Sequence, residues 1–168
     1  MNRLFLSIAM LLITALPVSA ETLRGMVKAV HDGDTVVLVG RGTGRVTVRL
    51  YGVDAPETRK PDSPGQPFGS QAKRVLMFKV LGKEVTAEVQ DRDQYGRAVG
   101  VLLLAGRDIN AEMVAEGMAW AYRQFLNGPY ASRYIALEEQ SRRQRRGLWR
   151  DPNPQPPWEF RSRQKRRR

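Results

Sequence analysis

Three β-branched runs follow one another near the start of the chain with only tight turns between them, and this meander constrains the fold more than any other feature. "TLRGMVKAV" (residues 22–30) and "DTVVLVG" (34–40) are separated by "HDG", a hairpin signal. A second turn, "GRGTG", leads into "RVTVRLYG", where Val46, Val48 and Leu50 alternate with Arg45, Thr47 and Arg49. A period of two sends the apolar set to one face and the polar set to the other, as in a half-buried strand.

The rest of the chain extends this pattern. "PDSPGQP" (61–67) reads as loop, because it is too rich in Pro and Gly for either regular structure. The spacing predicts a helix over 69–82, with Ser70 as N-cap, Gly82 just past the end, and Ala72, Val75, Leu76 and Val80 on one buried stripe. Two more strands, "KEVTAEVQ" and "GRAVGVLLLA", are joined through "DRDQY". "INAEMVAEG" and "ASRYIALEEQSRRQRRGLW" are expected to be helices. "DPNPQPPWEF" has four prolines in ten residues and is expected to be neither helix nor central strand. No internal repeat is present. Five short strands with a helix between the third and fourth give the order of an OB-fold, so the fold class expected is α+β, a five-stranded barrel with about three helices. Such barrels often bind oligonucleotides, but a fold by itself does not establish a function.

Residues 1–20 stand apart from this domain. Arg3, an apolar run from Leu4 to Leu16 and the small-residue end Val18-Ser19-Ala20 predict a secretory signal peptide cleaved after Ala20. The run is too short to span a bilayer comfortably, and no other tract approaches that length. The expected product is an exported protein, periplasmic or extracellular, with no membrane span in the mature chain. Its parts are the domain over 21–160 and a basic, disordered tail over 161–168. There is no cysteine, so export brings no disulfide framework. The formal charge of +11 is unevenly placed: residues 142–168 carry eleven Arg or Lys against two acids, whereas residues 21–141 sum to only +1. A basic end of this kind is either a solvated face or a sequence-independent attraction to a polyanion.

Asp32, Asp34, Asp54 and Glu57 lie on turns and loop starts, where a meander could gather them at one barrel end. Hard oxygen donors suit calcium or magnesium, and one histidine without cysteine argues against zinc. Pro56 biases Ala55 toward an extended backbone, which could aim the Ala55 carbonyl at the same ion. Turn chemistry competes with this reading for each aspartate, and for Asp32 it is preferred. Asp34 and Asp54 favour the ion only if they converge. Arg49 and Arg97 taken singly are exposed strand charges. Beside a hard cation, their planar forks would instead bracket a phosphate. His31 is the lone histidine and reads as a turn residue, which excludes a two-histidine acid–base pair.

"DGDT", "RLYGVDAPET" and "DQYGR" closely resemble the three signature segments of the staphylococcal nuclease (thermonuclease) family, in the family's order and with nearly its spacing. The closing "RRGLWRDPNPQPPWEFR" is similar to the C-terminal end of secreted bacterial members, so the resemblance covers about residues 22–160. It implies that Asp34 and Asp54 ligate Ca2+ with the Ala55 carbonyl, and that Glu57 orders or deprotonates the attacking water. It also implies that Arg49 and Arg97 bind the scissile phosphate and that Tyr95 contacts the nucleotide. Tyr122 or Phe125 would stack on a base. Ala55 replaces the threonine of the type member, which leaves a carbonyl ligand intact, and Gln94 replaces a lysine, which removes one phosphate contact. The implied activity is that of a monomeric, calcium-dependent endonuclease of low sequence specificity. It would cut DNA and RNA and leave 3′-phosphate ends. The alternative is a non-catalytic OB-fold module that binds single-stranded nucleic acid.

Overall fold

In a computed structural model of the protein, residues 21–40, 42, 44–61 and 63–166 are described; the expected leader and the last two residues of the basic tail lie outside them. Strands β1 (Thr22–Asp32), β2 (Thr35–Gly40) and β3 (Gly44–Leu50) form the expected antiparallel meander, with Asp32 opposite Thr35 and Thr35 opposite Arg49. β1 also pairs with β5 (Glu84–Arg92), and β5 with β6 (Ala98–Leu104). The sheet closes through a parallel seam between β3 and β6, with Val48 opposite Ala98, Arg49 opposite Val99 and Leu50 opposite Gly100. The five-stranded barrel is therefore present. Three further two-residue strands, β4 (Val53–Asp54), β7 (Arg107–Asp108) and β8 (Trp120–Ala121), are too short to show an alternation in sequence.

Among the described residues four α-helices accompany the barrel, where about three were expected: α1 (Gly69–Val80), α2 (Ile109–Ala115), α3 (Pro129–Arg143) and α4 (Pro157–Arg166), with 3-10 turns at Arg123–Phe125 and Gly147–Arg150. α1 buries Gly69, Ala72, Leu76 and Val80 against the barrel and ends ahead of Gly82 as expected. Its start differs from expectation. Phe68, at φ 67°, takes the flanking position without a side-chain cap, and Ser70 lies inside the first turn. Phe68 packs on the cluster of Trp120, Leu148 and Trp149, so tertiary packing rather than a hydroxyl fixes this helix start.

α4 is the second correction. The proline-rich end was expected to stay irregular and residues 161–168 to be disordered, yet Pro157 opens a helix that runs to Arg166. A first-turn proline loses nothing, since its missing N–H has no intrahelical partner in any case. Trp158 then stacks on Tyr122 with ring centroids 4.8 Å apart and planes 3° from parallel, and it meets Trp120 edge-on at 5.5 Å.

Two arrangements dock the C-terminal half on the barrel. Fully buried Glu138 on α3 accepts from Arg123 at 2.7 Å and from Arg142 at 3.0 Å, and the Arg142 guanidinium lies 3.9 Å from the centre of the Trp149 ring. The backbones of Gly117 and Gly147 cross in direct contact. The Leu148 N–H donates to the Gly117 carbonyl at 2.8 Å, and a Cβ added to Gly147 would lie 2.1 Å from that same oxygen.

Candidate active site

The site begins with which face of β3 each residue takes. Val48 and Leu50 enter the core, so Arg49 points to the other side, where the β1–β2 turn supplies Asp34 and β4 supplies Asp54. Its guanidinium bridges the two acids: Nη1 lies 3.1 Å from Asp34 Oδ2, and Nη2 donates to Asp54 Oδ1 at 2.8 Å. Asp34 and Asp54 thus converge, the condition that the sequence left open. Both are buried, Asp54 completely and Asp34 to within 4 %. Asp34 Oδ2 also accepts from the Ala55 N–H at 3.1 Å, and Oδ1 accepts from Thr35 Oγ1 at 2.8 Å. A small residue at position 33 makes this approach possible, because a Cβ on Gly33 would come within 2.7 Å of both Ala55 Cβ and Ala72 Cβ.

Burial works against ionisation here, and paired charges oppose it. The Asp54 carboxyl is pushed above the usual carboxylate value by burial, although Arg161 and Arg49 pull it down, and nearby Asp34 adds to the rise. Burial also weakens the charge on Arg49, but Asp34 and Asp54 outweigh it and hold the guanidinium above its ordinary value. Asp32 shows the turn chemistry preferred for it: Oδ1 accepts from the Gly33 N–H at 3.1 Å and the Thr58 N–H at 3.2 Å. It thereby ties the hairpin turn to the loop after β4.

Glu57 lies on that loop, 3.4 Å from Lys60 Nζ. The Glu57 N–H donates to Gln66 Oε1 at 3.0 Å, and Gln66 Nε2 donates to the Gln155 carbonyl at 3.0 Å, which links the acid loop to the C-terminal segment. Asp34, Arg49, Glu57 and Arg97 line one open cleft, together with His31, Asp32, Thr47 and Lys73. Arg97 is aimed by a residue that sequence reasoning passed over. Asp93 Oδ2 accepts from Arg97 Nε at 2.6 Å, while Oδ1 accepts from the N–H groups of Tyr95 and Arg97 at 2.9 and 3.0 Å. The Asp-x-x-Gly spacing of this turn was the available signal. Burial raises the Asp93 carboxyl, but these three donors and the Arg97 charge together prevail and hold it below the usual value.

Tyr95 is three-quarters exposed beside Arg97, whose guanidinium carbon lies 5.6 Å from the ring centre. Tyr122 has Trp158 stacked on one ring face and Phe125 edge-on at 4.8 Å. Neither tyrosine lines the cleft that holds the acids.

Comparison with known proteins gives the chain a lineage. The model of the staphylococcal nuclease homologue family matches residues 47–151, a span that includes Arg49, Asp54, Glu57 and Arg97. The chain belongs to the staphylococcal nuclease family. Among its relatives, a micrococcal nuclease from Shigella flexneri is 42% identical, with 91% of this chain and 88% of the relative covered. Protein ParB from Escherichia coli is 39% identical over 94% of this chain and 89% of its own length. An uncharacterized endonuclease from Haemophilus influenzae is 35% identical over 98% and 88%.

Staphylococcal nuclease homologues are metal-dependent in general, so the donors in this site bear on that property. Among the described residues, no group of three or more His, Cys, Asp or Glu side chains is arranged to hold an ion. What the site offers is two buried carboxylates brought together on one guanidinium, and the charge of Asp34 raises the cost of ionising Asp54. An all-oxygen pair of this kind fits a hard cation that keeps several waters. Sequence reasoning missed one residue here entirely. Arg161 reaches from α4 to donate to both oxygens of Asp54, at 2.7 and 3.1 Å, and to Glu57 Oε1 at 2.8 Å. No helix among the described residues is long and apolar enough to cross a membrane.

Proposed function

We propose that this family member is an exported, calcium-dependent endonuclease that hydrolyses DNA and RNA with little sequence preference and leaves 3′-phosphate ends. The convergence of Asp34 and buried Asp54 on Arg49, with Asp34 and Arg49 lining a cleft shared with Glu57 and Arg97, carries this reading. The relatives named as nucleases support the reaction class.

Asp34, Asp54 and the Ala55 carbonyl would hold the cation. When bound, a hard divalent cation supplies positive charge to a phosphoryl oxygen. Arg49 and Arg97 grip the remaining oxygens of the scissile phosphate and offset the negative charge that grows on them, commonly the largest contribution to such a reaction. The fork of Arg97 is already oriented by Asp93, so little rotamer freedom is lost when phosphate arrives. Glu57 orders the attacking water and is the carboxylate placed to accept its proton. Tyr95, exposed beside Arg97, covers the neighbouring nucleotide.

Cleavage of single- and double-stranded DNA is expected with Ca2+ and is lost on adding a chelator. Glu57→Gln keeps the shape of the side chain but cannot accept a proton, so its kcat is expected to fall by about 10²–10⁴-fold. Cleavage that persists in chelator, or full activity in the Gln variant, overturns the mechanism. If the protein retains single strands but cuts nothing with any divalent ion, the function is that of a binding module. Export predicts that the protein recovered outside the cytoplasm begins at Glu21, which N-terminal sequencing checks.

A further inference from the structure

Arg161 is a charged group in the acid cluster for which the proposed reaction has no use. Asp54 Oδ1 accepts from Arg49 Nη2 at 2.8 Å and from Arg161 Nη1 at 3.1 Å, while Oδ2 accepts from Arg161 Nη2 at 2.7 Å. The guanidinium thus covers both oxygens of a fully buried carboxylate in the bidentate geometry that suits it best. Its Nη1 reaches Glu57 Oε1 at 2.8 Å in the same position. Arg161 arrives from the far end of the chain, on a helix fixed by the Trp158–Tyr122 stack and by Trp158 against Trp120.

We propose that Arg161 is a further residue of this site: a tethered cation that competes with the divalent ion for Asp54 and so couples the C-terminal helix to ion occupancy. This rests on the reading of Asp34 and Asp54 as ion ligands. A divalent ion touching Asp54 meets the Arg161 charge almost at contact, in a buried setting where salt screens little. Arg49 already places a second positive charge on the same carboxylate, so the two guanidiniums and an ion cannot all hold it at full strength. Linkage makes the coupling reciprocal: whatever loosens Arg161 tightens the ion, and the ion loosens Arg161 by the same factor.

The test is calorimetric titration of Ca2+ into the protein, Arg161→Gln, Arg161→Lys and Asp54→Asn. Removing the competing charge in Arg161→Gln is expected to tighten Ca2+ binding about tenfold, with Arg161→Lys close to the parent because it keeps the charge. Asp54→Asn is expected to lose binding. Unchanged or weaker binding in Arg161→Gln, while Asp54→Asn loses it, overturns this inference and leaves the ligand reading standing. No binding in the parent and in Arg161→Gln alike overturns both. A second measurement needs no folded Gln variant. The Arg161 Nη–H resonances, assigned by their loss in Arg161→Lys, should shift and lose exchange protection as Ca2+ is added. A resonance unmoved at saturating Ca2+ also overturns the inference.

Discussion

Arg49→Ala is expected to lower kcat/KM by about 10³-fold or more and at the same time to destabilise the fold by about 3 kcal/mol. The two losses share one cause. In the proposed reaction Arg49 grips the phosphate, but it is also the counter-charge between Asp34 and Asp54, and its removal leaves two converging carboxylates with less to hold them together. Both acids are buried, so water offers little relief, and Asp54 keeps only its pairing with Arg161. For a domain of this size the stability loss corresponds to a fall of about 10 °C in Tm. Arg49→Lys separates the two roles. A point charge cannot span both carboxylates as the guanidinium does, but it retains the charge, so the melt recovers more than the rate. Added Ca2+ should restore part of the Tm in Arg49→Ala, because an ion on Asp34 and Asp54 replaces the missing charge. Thermal melts with Ca2+ and with chelator, beside initial rates on duplex DNA, check all three points. A rate within tenfold of the parent contradicts the role given to this residue.

Gly147→Ala is expected to be the most damaging single-methyl change in the molecule. The added carbon would fall 2.1 Å from the Gly117 carbonyl oxygen and 2.6 Å from its carbon, and both are backbone atoms that no rotamer change can move. Gly147 also sits at φ 50°, a left-handed conformation in which a side chain is strained even in open space. Strain and displacement together cost about 4 kcal/mol, at the upper end for a point mutation. The damage falls on the Leu148 N–H bond to Gly117 and on the Leu148–Trp149 packing over Trp120, which seats the C-terminal segment. Gly106→Ala is the control. It has positive φ too, but nothing lies within 4 Å of its added carbon, so only the backbone strain of about 1–2 kcal/mol remains. Equal losses in the two variants, measured by denaturant unfolding, contradict the crossing as the cause.

Much of the barrel could be read from sequence because its signals are local. Val46, Val48 and Leu50 alternate within a few residues, and "HDG" announces its own turn. β4 and β8 could not be read, since two residues carry no period and their pairing of Asp54 with Trp120 joins distant parts of the chain. α4 was missed for a different reason. The helix-breaking power of proline was applied to the whole of "DPNPQPPWEF", although Pro157 occupies the one helical position where proline is harmless. The acid set of "RLYGVDAPET" was visible because one loop carries Asp54 and Glu57, and the structure adds the convergence with Asp34. Arg161 had no local signal at all. Its partner Asp54 lies 107 residues earlier, and a single arginine in a basic run is indistinguishable from its neighbours until the helix is docked.

The parallel seam between β3 and β6 also dictates when the chain becomes competent during its own synthesis. A ribosome that has released β1 to β4 has delivered Asp34, Arg49, Asp54 and Glu57, yet the strand that closes the barrel and carries Arg97 to its edge is still unmade. Until Ala98, Val99 and Gly100 zip onto Val48, Arg49 and Leu50, the nascent chain holds acids on an open meander, with Arg49 present and Arg97 not yet beside it. Non-local pairing of this kind closes late, after its loop entropy is met. A truncated or stalled product therefore lacks both the closed barrel and Arg97 at its edge.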